Sequence, residues 1–281
     1  MLSFKTGLHH ALHRVSLAAL GILASAPVVA DRLGSAAALE GRIDGADVVI
    51  LGEVHDNPEH HAFQDAAIDV VEPSAIVFEM LTPEEAARVT PDLAAQPEAL
   101  ESALAWSESG WPDFSMYYPL LAEAQTLPIY GAEVPRGEAQ RAFAEGAETV
   151  FAGEAARFGL TEALADAEQA MREAEQQEAH CNALPEDILP GFVEAQRLRD
   201  AALAEAVLDA LAEHSAPVVV ITGNGHARRD WGVPAVLAIA APDVEVISVG
   251  QFEQPPEGEV PYDFWTVADP VDRPDPCAAF Q

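Results

Sequence analysis

Two histidines in the chain stand three residues after a glycine that ends an apolar run, in the segments GEVH and GNGH. They are His55 and His226, with Glu53 inside the first segment and Asn224 inside the second. Glu79 closes another apolar run. Imidazole and carboxylate groups ligate divalent metals and also act as general acids and bases. The pattern therefore predicts a site for metal binding or proton transfer.

Buried strands precede each of these groups. Continuous apolar runs predict strands covered on both faces, and an apolar stripe after the first run predicts a helix. The carboxyl ends of parallel strands meet at one edge of a sheet, so Glu53, His55, Glu79 and His226 are expected to converge in one crevice. The predicted strands are 47–51, 74–79, 127–131, 216–222, 244–249 and a short edge strand at 264–267.

The predicted fold class is α/β, with a mainly parallel sheet flanked by helices. Strand, helix and strand over 47–79 form a βαβ unit, which is parallel and right-handed by default. A stretch rich in Ala, Glu and Gln at about 136–214 predicts a helical insertion or subdomain. His180 and His214 lie in that stretch and are interpreted as surface residues. A further helix is expected over 231–239.

The first predicted helix begins near the crevice. Asn57 is suited to an N-cap and Pro58 to the first helical position. His60 then lies in the first turn, with Gln64 one turn later, and can reach the same crevice. We therefore include His60 and Asn224 among the predicted cofactor contacts.

The charge of the chain excludes several function classes. It has 14 Lys and Arg residues against 47 Asp and Glu residues, a formal charge of −33. Such a protein is repelled by phosphate backbones, so no nucleic-acid partner is expected. The only lysine is Lys5. A chain that loses its N-terminal segment therefore has no lysine for a Schiff base or a nucleotide-binding loop.

The first 30 residues have the pattern of an export signal. A start containing Lys5 and Arg14 and no acid precedes an apolar run at 15–29, which ends in small residues at Ala30. Cleavage near Ala30 and a periplasmic or secreted domain at 31–281 are expected. Cys181 and Cys277 are the only cysteines, and in an oxidising compartment a disulfide between them is expected.

Five blocks from about residue 52 to residue 237 occur together: LGEVHDNPEHHAFQ, VFEML, WPDFSMYYP, AQRLRDAALA and TGNGHARRDWGVPAVL. In this order they resemble the ChaN-like family of haem-binding uptake proteins, which is grouped with Tiki, TraB and erythromycin-esterase-like proteins. The resemblance implies an α/β core with a helical part and a role in haem or iron acquisition. It also implies haem bound at a homodimer interface and an outer-membrane haem uptake machinery as partner.

The resemblance also bears on the iron ligand. ChaN-like members are described as haem binders with a tyrosine oxygen on the iron, and the matching Tyr-x-Pro block contains Tyr117, with Tyr118 adjacent. A phenolate is a reasonable ligand for ferric iron. Trp106 and Trp111 in the same region offer the flat aromatic surface that a porphyrin needs. The lipobox cysteine of some relatives is missing here.

Three hypotheses follow, of which we favour the first. It is an extracytoplasmic haem-binding protein, dimeric when loaded, with Tyr117 or a crevice histidine on the iron. The alternative is a metal-dependent hydrolase, as in the wider superfamily, with Glu53, His55 and His226 as metal ligands and Glu79 joining them as a catalytic group. The third is a scaffold whose strand-end polar residues only brace loops.

Overall fold

The computed structural model describes residues 30–275 and 277–278. The predicted export signal at residues 1–30 lies outside this range, apart from Ala30. None of the helices formed by the described residues is long and apolar enough to cross a membrane.

A parallel sheet forms the centre of the described chain. In the order β1-β7-β6-β2-β5-β3-β4, every neighbouring pair of strands is parallel. This confirms the predicted α/β class. The predicted strand at Phe264–Val267 is present, but it is not at the edge of the sheet. The two-residue strand at Asp31–Arg32 pairs with it and forms the edge. The strands are β1 (Asp31–Arg32), β2 (Val48–Glu53), β3 (Ala75–Phe78), β4 (Ile129–Gly131), β5 (Val218–Gly223), β6 (Val246–Phe252) and β7 (Phe264–Val267).

Helices flank the sheet on both faces. The stretch at about 136–214, predicted to be helical, contains the helices α7 to α10. The helix expected at 231–239 begins at Val233. The helices are α1 (Pro58–Val71), α2 (Pro83–Ala86), α3 (Pro91–Ala94), α4 (Pro97–Ala103), α5 (Trp106–Ser109), α6 (Phe114–Ala122), α7 (Arg136–Glu145), α8 (Ala147–Val150), α9 (Asp166–Ala179), α10 (Leu189–Glu213), α11 (Asn224–Ala227) and α12 (Val233–Ala240). Short 3-10 turns occupy Ala36–Leu39, Glu123–Gln125, Ala155–Phe158 and Glu186–Ile188.

The central strand β2 is buried on both faces. Val49 and Leu51 belong to one apolar cluster together with side chains of α1 and α6. Val48 and Ile50 belong to a second cluster with side chains of α10 and α12. Successive side chains of a strand point to opposite faces, which explains an apolar run without alternation. Helix α10 is thereby packed directly on the sheet.

The N-terminus of α1 is fixed beside the strand ends. As predicted, Asn57 caps the helix, and its side-chain oxygen accepts from the backbone N–H of Glu59 at 3.0 Å. Its amide also donates to Glu253 at 2.8 Å and to the backbone carbonyl of Asp269 at 3.0 Å. One side chain therefore ties α1 to the segments that follow β6 and β7.

The C-terminal tail is attached to the body at two points. The predicted disulfide joins Cys181, just beyond α9, to Cys277, across 96 residues of sequence. Arg273 donates to Asp56 at 2.7 Å and to Glu253 at 2.6 Å. The end of α9 and the first turn after β2 are both held by these contacts.

Gly131→Ala tests the close approach at the end of β4. A methyl group there would overlap the backbone carbonyl oxygens of Leu81 and Thr82, and overpacking of this kind costs about 1–3 kcal/mol. Gly137→Ala is the matched control, since its methyl group would meet no atom within 4 Å. Urea unfolding should show a lower free energy of unfolding for Gly131→Ala only. Equal stability of the two variants would contradict the close approach of Gly131 to the carbonyl oxygens of Leu81 and Thr82.

Candidate functional site

A cavity of about 820 Å³ opens at the carboxyl edge of the sheet, between the strand ends and helices α7, α9 and α10. Its size is within the usual range for small-molecule sites. The strand-end residues His55, Glu79 and His226 form its floor. Its walls carry the aromatic and basic side chains of Trp111, Phe143, Phe192, Arg136 and Arg199, with His180 nearby on the same surface.

Glu79 follows β3 and is nearly fully buried. One oxygen accepts from the Thr222 hydroxyl at 2.6 Å and from the backbone N–H of Gly223 at 2.8 Å. Burial works to raise the pKa of this carboxyl, but the imidazoles of His226 and His55 and these two hydrogen bonds together lower it. Glu79 is therefore held as a carboxylate at the junction of β3 and β5.

His226 lies in α11 between two carboxylates. Its Nδ1 is 2.7 Å from Asp200 Oδ1, and its Nε2 is 3.5 Å from Glu79 Oε1. Burial works to lower the pKa of the imidazole, but Glu79 and Asp200 raise it to about 9. At neutral pH His226 is thus a buried imidazolium that links the sheet to α10.

Asp200 is a site residue that sequence reasoning missed. It comes from α10 and is 2 % exposed. Two signals point to it: an acid stands on the stripe that continues through Leu203 and Val207, and it lies inside the AQRLRDAALA block. An acid on the buried face of an amphipathic helix needs a partner. Here the partner is His226.

Glu53 is fully engaged by its neighbours. One oxygen accepts from the Tyr117 hydroxyl at 2.7 Å and lies 2.7 Å from His55 Nδ1. The other accepts from Gln64 at 2.7 Å. The side chain is excluded from solvent. Glu53 therefore orients His55 and does not line the cavity.

His55 is the member of that group that reaches the cavity. Its side chain is 35 % exposed, and its ring packs edge-on to Trp111 with centroids 5.0 Å apart. Burial works to lower the pKa of His55, but the hydrogen bond that its ring donates to Glu53 and the charges of Glu79 and Glu53 raise it overall. His55 and His226 both lie on the floor of this cavity, as the sequence predicts for residues at the carboxyl ends of parallel strands.

The two tyrosines predicted as haem contacts lie elsewhere. Tyr117 is completely buried, and burial together with the Glu53 carboxylate raises the pKa of its phenol. The hydroxyl of Tyr118 donates to the backbone carbonyl of Ala94 at 3.2 Å. Neither side chain is part of the cavity lining. The phenolate that ferric iron requires is disfavoured at Tyr117.

His60 and Asn224 brace the backbone. His60 is completely buried and its Nδ1 accepts from the backbone N–H of Val54 at 2.9 Å. Asn224 donates to the carbonyl of Gln251 at 2.5 Å and accepts from the N–H of the same residue at 2.9 Å. Both residues lie outside the cavity lining.

The expected divalent metal finds no ligand set in the described chain. No three His, Cys, Asp or Glu side chains among the described residues are grouped so that they could hold a metal ion. Among the predicted ligands, both oxygens of Glu53 already accept hydrogen bonds. Both ring nitrogens of His226 face carboxylates.

His180, interpreted from the sequence as a surface residue, contributes to the cavity. His180 is half-buried at the end of α9 and lines the cavity. Its ring packs against Phe192, with centroids 4.9 Å apart. Sequence reasoning missed this contact because His180 is distant in the chain from every strand end and follows an acidic, solvated helix.

Comparisons with known proteins identify the family and the fold of the chain. The sequence model of a family described as "Haem-binding uptake, Tiki superfamily, ChaN" matches residues 39–237. A structure described as cofacial heme binding to ChaN of Campylobacter jejuni is 19% identical, with a TM-score of 0.57 over 77% of this chain and 86% of that one. At that identity the likeness shows the fold alone. No curated protein matches the chain.

Two further structures are more distant. The type III effector HopBA1 is 13% identical, with a TM-score of 0.46 over 87% of this chain and 99% of that one. The erythromycin esterase EreC in its open conformation is 13% identical, with a TM-score of 0.39 over 75% of this chain and 71% of that one.

The buried imidazolium predicts a loss of stability in alkali. The folded pKa of His226, about 9, is above the ordinary value of 6.5. Its stabilising contribution is therefore complete below about pH 6.5 and disappears as the pH rises through about 9. His226→Gln should lower the free energy of unfolding by about 3–5 kcal/mol at pH 6, since it leaves buried carboxylates unpaired.

The measurement is urea unfolding from about pH 6 to about pH 10. The difference between wild type and His226→Gln should shrink as the pH passes about 9, whereas the control His214→Gln should follow the wild-type profile. A constant difference across the whole pH range would show that the imidazole is not charged in the folded protein.

Proposed function

Because the chain belongs to the ChaN family of haem-binding uptake proteins in the Tiki superfamily, we propose that it binds haem in the cavity at the carboxyl edge of its sheet. We further propose that it acts outside the cytoplasm, after removal of the N-terminal segment, in haem or iron uptake. The observation that carries the proposal is the combination of aromatic and guanidinium side chains on the cavity walls.

The wall chemistry fits the two parts of a haem molecule. Trp111, Phe143 and Phe192 supply apolar surface for the porphyrin plane. Arg136 and Arg199 supply planar guanidinium groups, which pair bidentately with carboxylates such as the haem propionates. The cavity volume of about 820 Å³ suits a ligand of this size.

The two arginines are available for such a ligand. Arg197, on the same helix as Arg199, pairs with Glu194 at 2.7 Å. In the described part of the chain, neither Arg136 nor Arg199 forms a comparable salt bridge with a carboxylate. In a chain with a formal charge of −33, two guanidinium groups on one cavity wall support recognition of an anionic ligand. The charge of Arg199 also acts on the Glu133 carboxyl in the same lining.

The compartment and the partners are further parts of the proposal. The disulfide between Cys181 and Cys277 supports an oxidising location. Phe143, 36 % exposed on the cavity wall, supports a homodimer in which a second copy covers the bound haem. Transfer to or from an outer-membrane uptake machinery rests on the family resemblance alone.

A second candidate function is hydrolysis on the cavity floor. His55 with Glu53 and His226 with Asp200 are imidazole–carboxylate pairs at 2.7 Å. Such pairs are suited to general acid–base catalysis. His55 has its ring partly exposed to the cavity, so it is the member that a substrate can reach. The superfamily also contains esterase-like members.

Haem binding is tested by an absorbance titration of the mature protein with haemin. We expect a saturable shift of the Soret band, and about tenfold weaker binding or more for Arg136→Gln and for Arg199→Gln, because each charge-assisted hydrogen bond contributes about 1.5–3 kcal/mol. The matched control is Arg141→Gln, also on α7, where the guanidinium pairs with Glu138 and Glu145. A wild-type response no larger than that of an albumin control would remove the proposal.

Hydrolysis is tested on a panel of ester and peptide substrates, with and without a chelator. If the floor is catalytic, His55→Gln should lower kcat by about 10²- to 10⁴-fold, the usual contribution of a general acid or base. His214→Gln should leave turnover unchanged. Turnover that is equal in wild type and His55→Gln would exclude the floor as its source, and activity lost on chelation would indicate a metal.

A further inference from the structure

We propose that His180 provides the imidazole that ligates the haem iron in this cavity. The inference rests on the haem binding proposed above and assigns the ligand to the helical wall. It differs from the expectation of a tyrosine oxygen at Tyr117, because the phenol is buried and hydrogen-bonded to Glu53.

The hydrogen bond of His180 sets its tautomer. Its Nδ1 lies 2.8 Å from the backbone carbonyl oxygen of Gln176. A carbonyl oxygen only accepts, so Nδ1 carries the proton and donates it. In the neutral ring Nε2 is then left with its lone pair. An imidazole that donates from one nitrogen to a carbonyl and offers the other to a metal is the common arrangement of histidine ligands.

The other two imidazoles of the cavity are less suited to this role. Both ring nitrogens of His226 face carboxylates, one at 2.7 Å and one at 3.5 Å, so it is held in the charged form without a free lone pair. His55 has its Nδ1 on Glu53, and its Nε2 faces Gly223 so closely that a methyl group on that glycine would lie 2.9 Å away. That nitrogen is therefore crowded on the Gly223 side.

The surroundings of His180 suit a porphyrin. Its ring packs against Phe192 at 4.9 Å, and Phe192 packs against Phe143 at 5.2 Å. These three rings form a continuous aromatic wall. Arg136 and Arg199 lie on the same cavity, so iron, ring and propionates each have a matching group.

The protein also fixes the position of His180. His180 is the C-cap of α9, and its N–H donates to the carbonyl of Gln176 at 3.2 Å. The next residue is Cys181, which the disulfide ties to Cys277. Cys181 and Asn182 adopt left-handed backbone angles, with φ of 60° and 56°, which turn the chain sharply after the imidazole. The disulfide thus acts as a positioning element for the ligand.

The test is a haemin titration of the mature protein followed by absorbance and by electron paramagnetic resonance of the ferric complex. We expect an imidazole-ligated spectrum in wild type. His180→Ala should lose that signature, bind haemin about tenfold more weakly or worse, and regain the wild-type Soret position when free imidazole is added. His214→Ala is the matched control, since His214 also caps a long helix but contacts Tyr130 instead of the cavity.

The outcomes separate the two proposals. If wild type binds no haemin, the haem function fails and the ligand assignment fails with it. If wild type and His180→Ala give the same spectrum and affinity, haem binding stands and the assignment to His180 is overturned. A tyrosinate spectrum that disappears in Tyr117→Phe would overturn it in the same way. Thermal unfolding of each variant confirms that the comparison is made between folded proteins.

Discussion

A buried imidazolium between two carboxylates holds the carboxyl edge of the sheet to the helical layer. Glu79 comes from the end of β3, His226 from the turn after β5, and Asp200 from the middle of α10. Removing any one of them would leave an uncompensated charge in a low-dielectric interior, which is much more costly than the pair itself is stabilising. The relative position of sheet and helix, and hence the shape of the cavity, depends on this contact.

That constraint divides the polar residues of the site into two groups. Glu53 and Glu79 at the strand ends and Asp200 on α10 are engaged with protein partners, and they hold the two histidines of the floor in place. The side chains proposed to contact a ligand come instead from the helices, which supply Arg136, Arg199 and His180 to the cavity lining. A rigid sheet edge with variable side chains around it is a common way to place function on a scaffold. Because the chain has 47 acidic and only 14 basic residues, two arginines on one cavity wall favour an anionic ligand.

Much of the fold could be predicted from apolar patterning. The central strands, the helix that Asn57 caps and the convergence of His55, Glu79 and His226 all follow from runs of local sequence and from the parallel order of the strands. The two-residue strand β1 could not be predicted, because Asp31 and Arg32 have no apolar pattern and pair with β7, a strand more than 200 residues away in the chain. The disulfide was predictable from the two cysteines together with the predicted export signal, which implies an oxidising compartment.

The sequence by itself determined which residue types end the strands, and therefore where the sheet would present imidazole and carboxylate groups. Only the tertiary structure decided which side chains face the cavity. Tyr117 was turned into the core against Glu53, and His180 was brought to the cavity from the far end of α9. The physical reason is that local patterning reports burial along one element, whereas a site is made by contacts between elements distant in the chain. Asp200 and His226, 26 residues apart, meet only because α10 packs on the sheet.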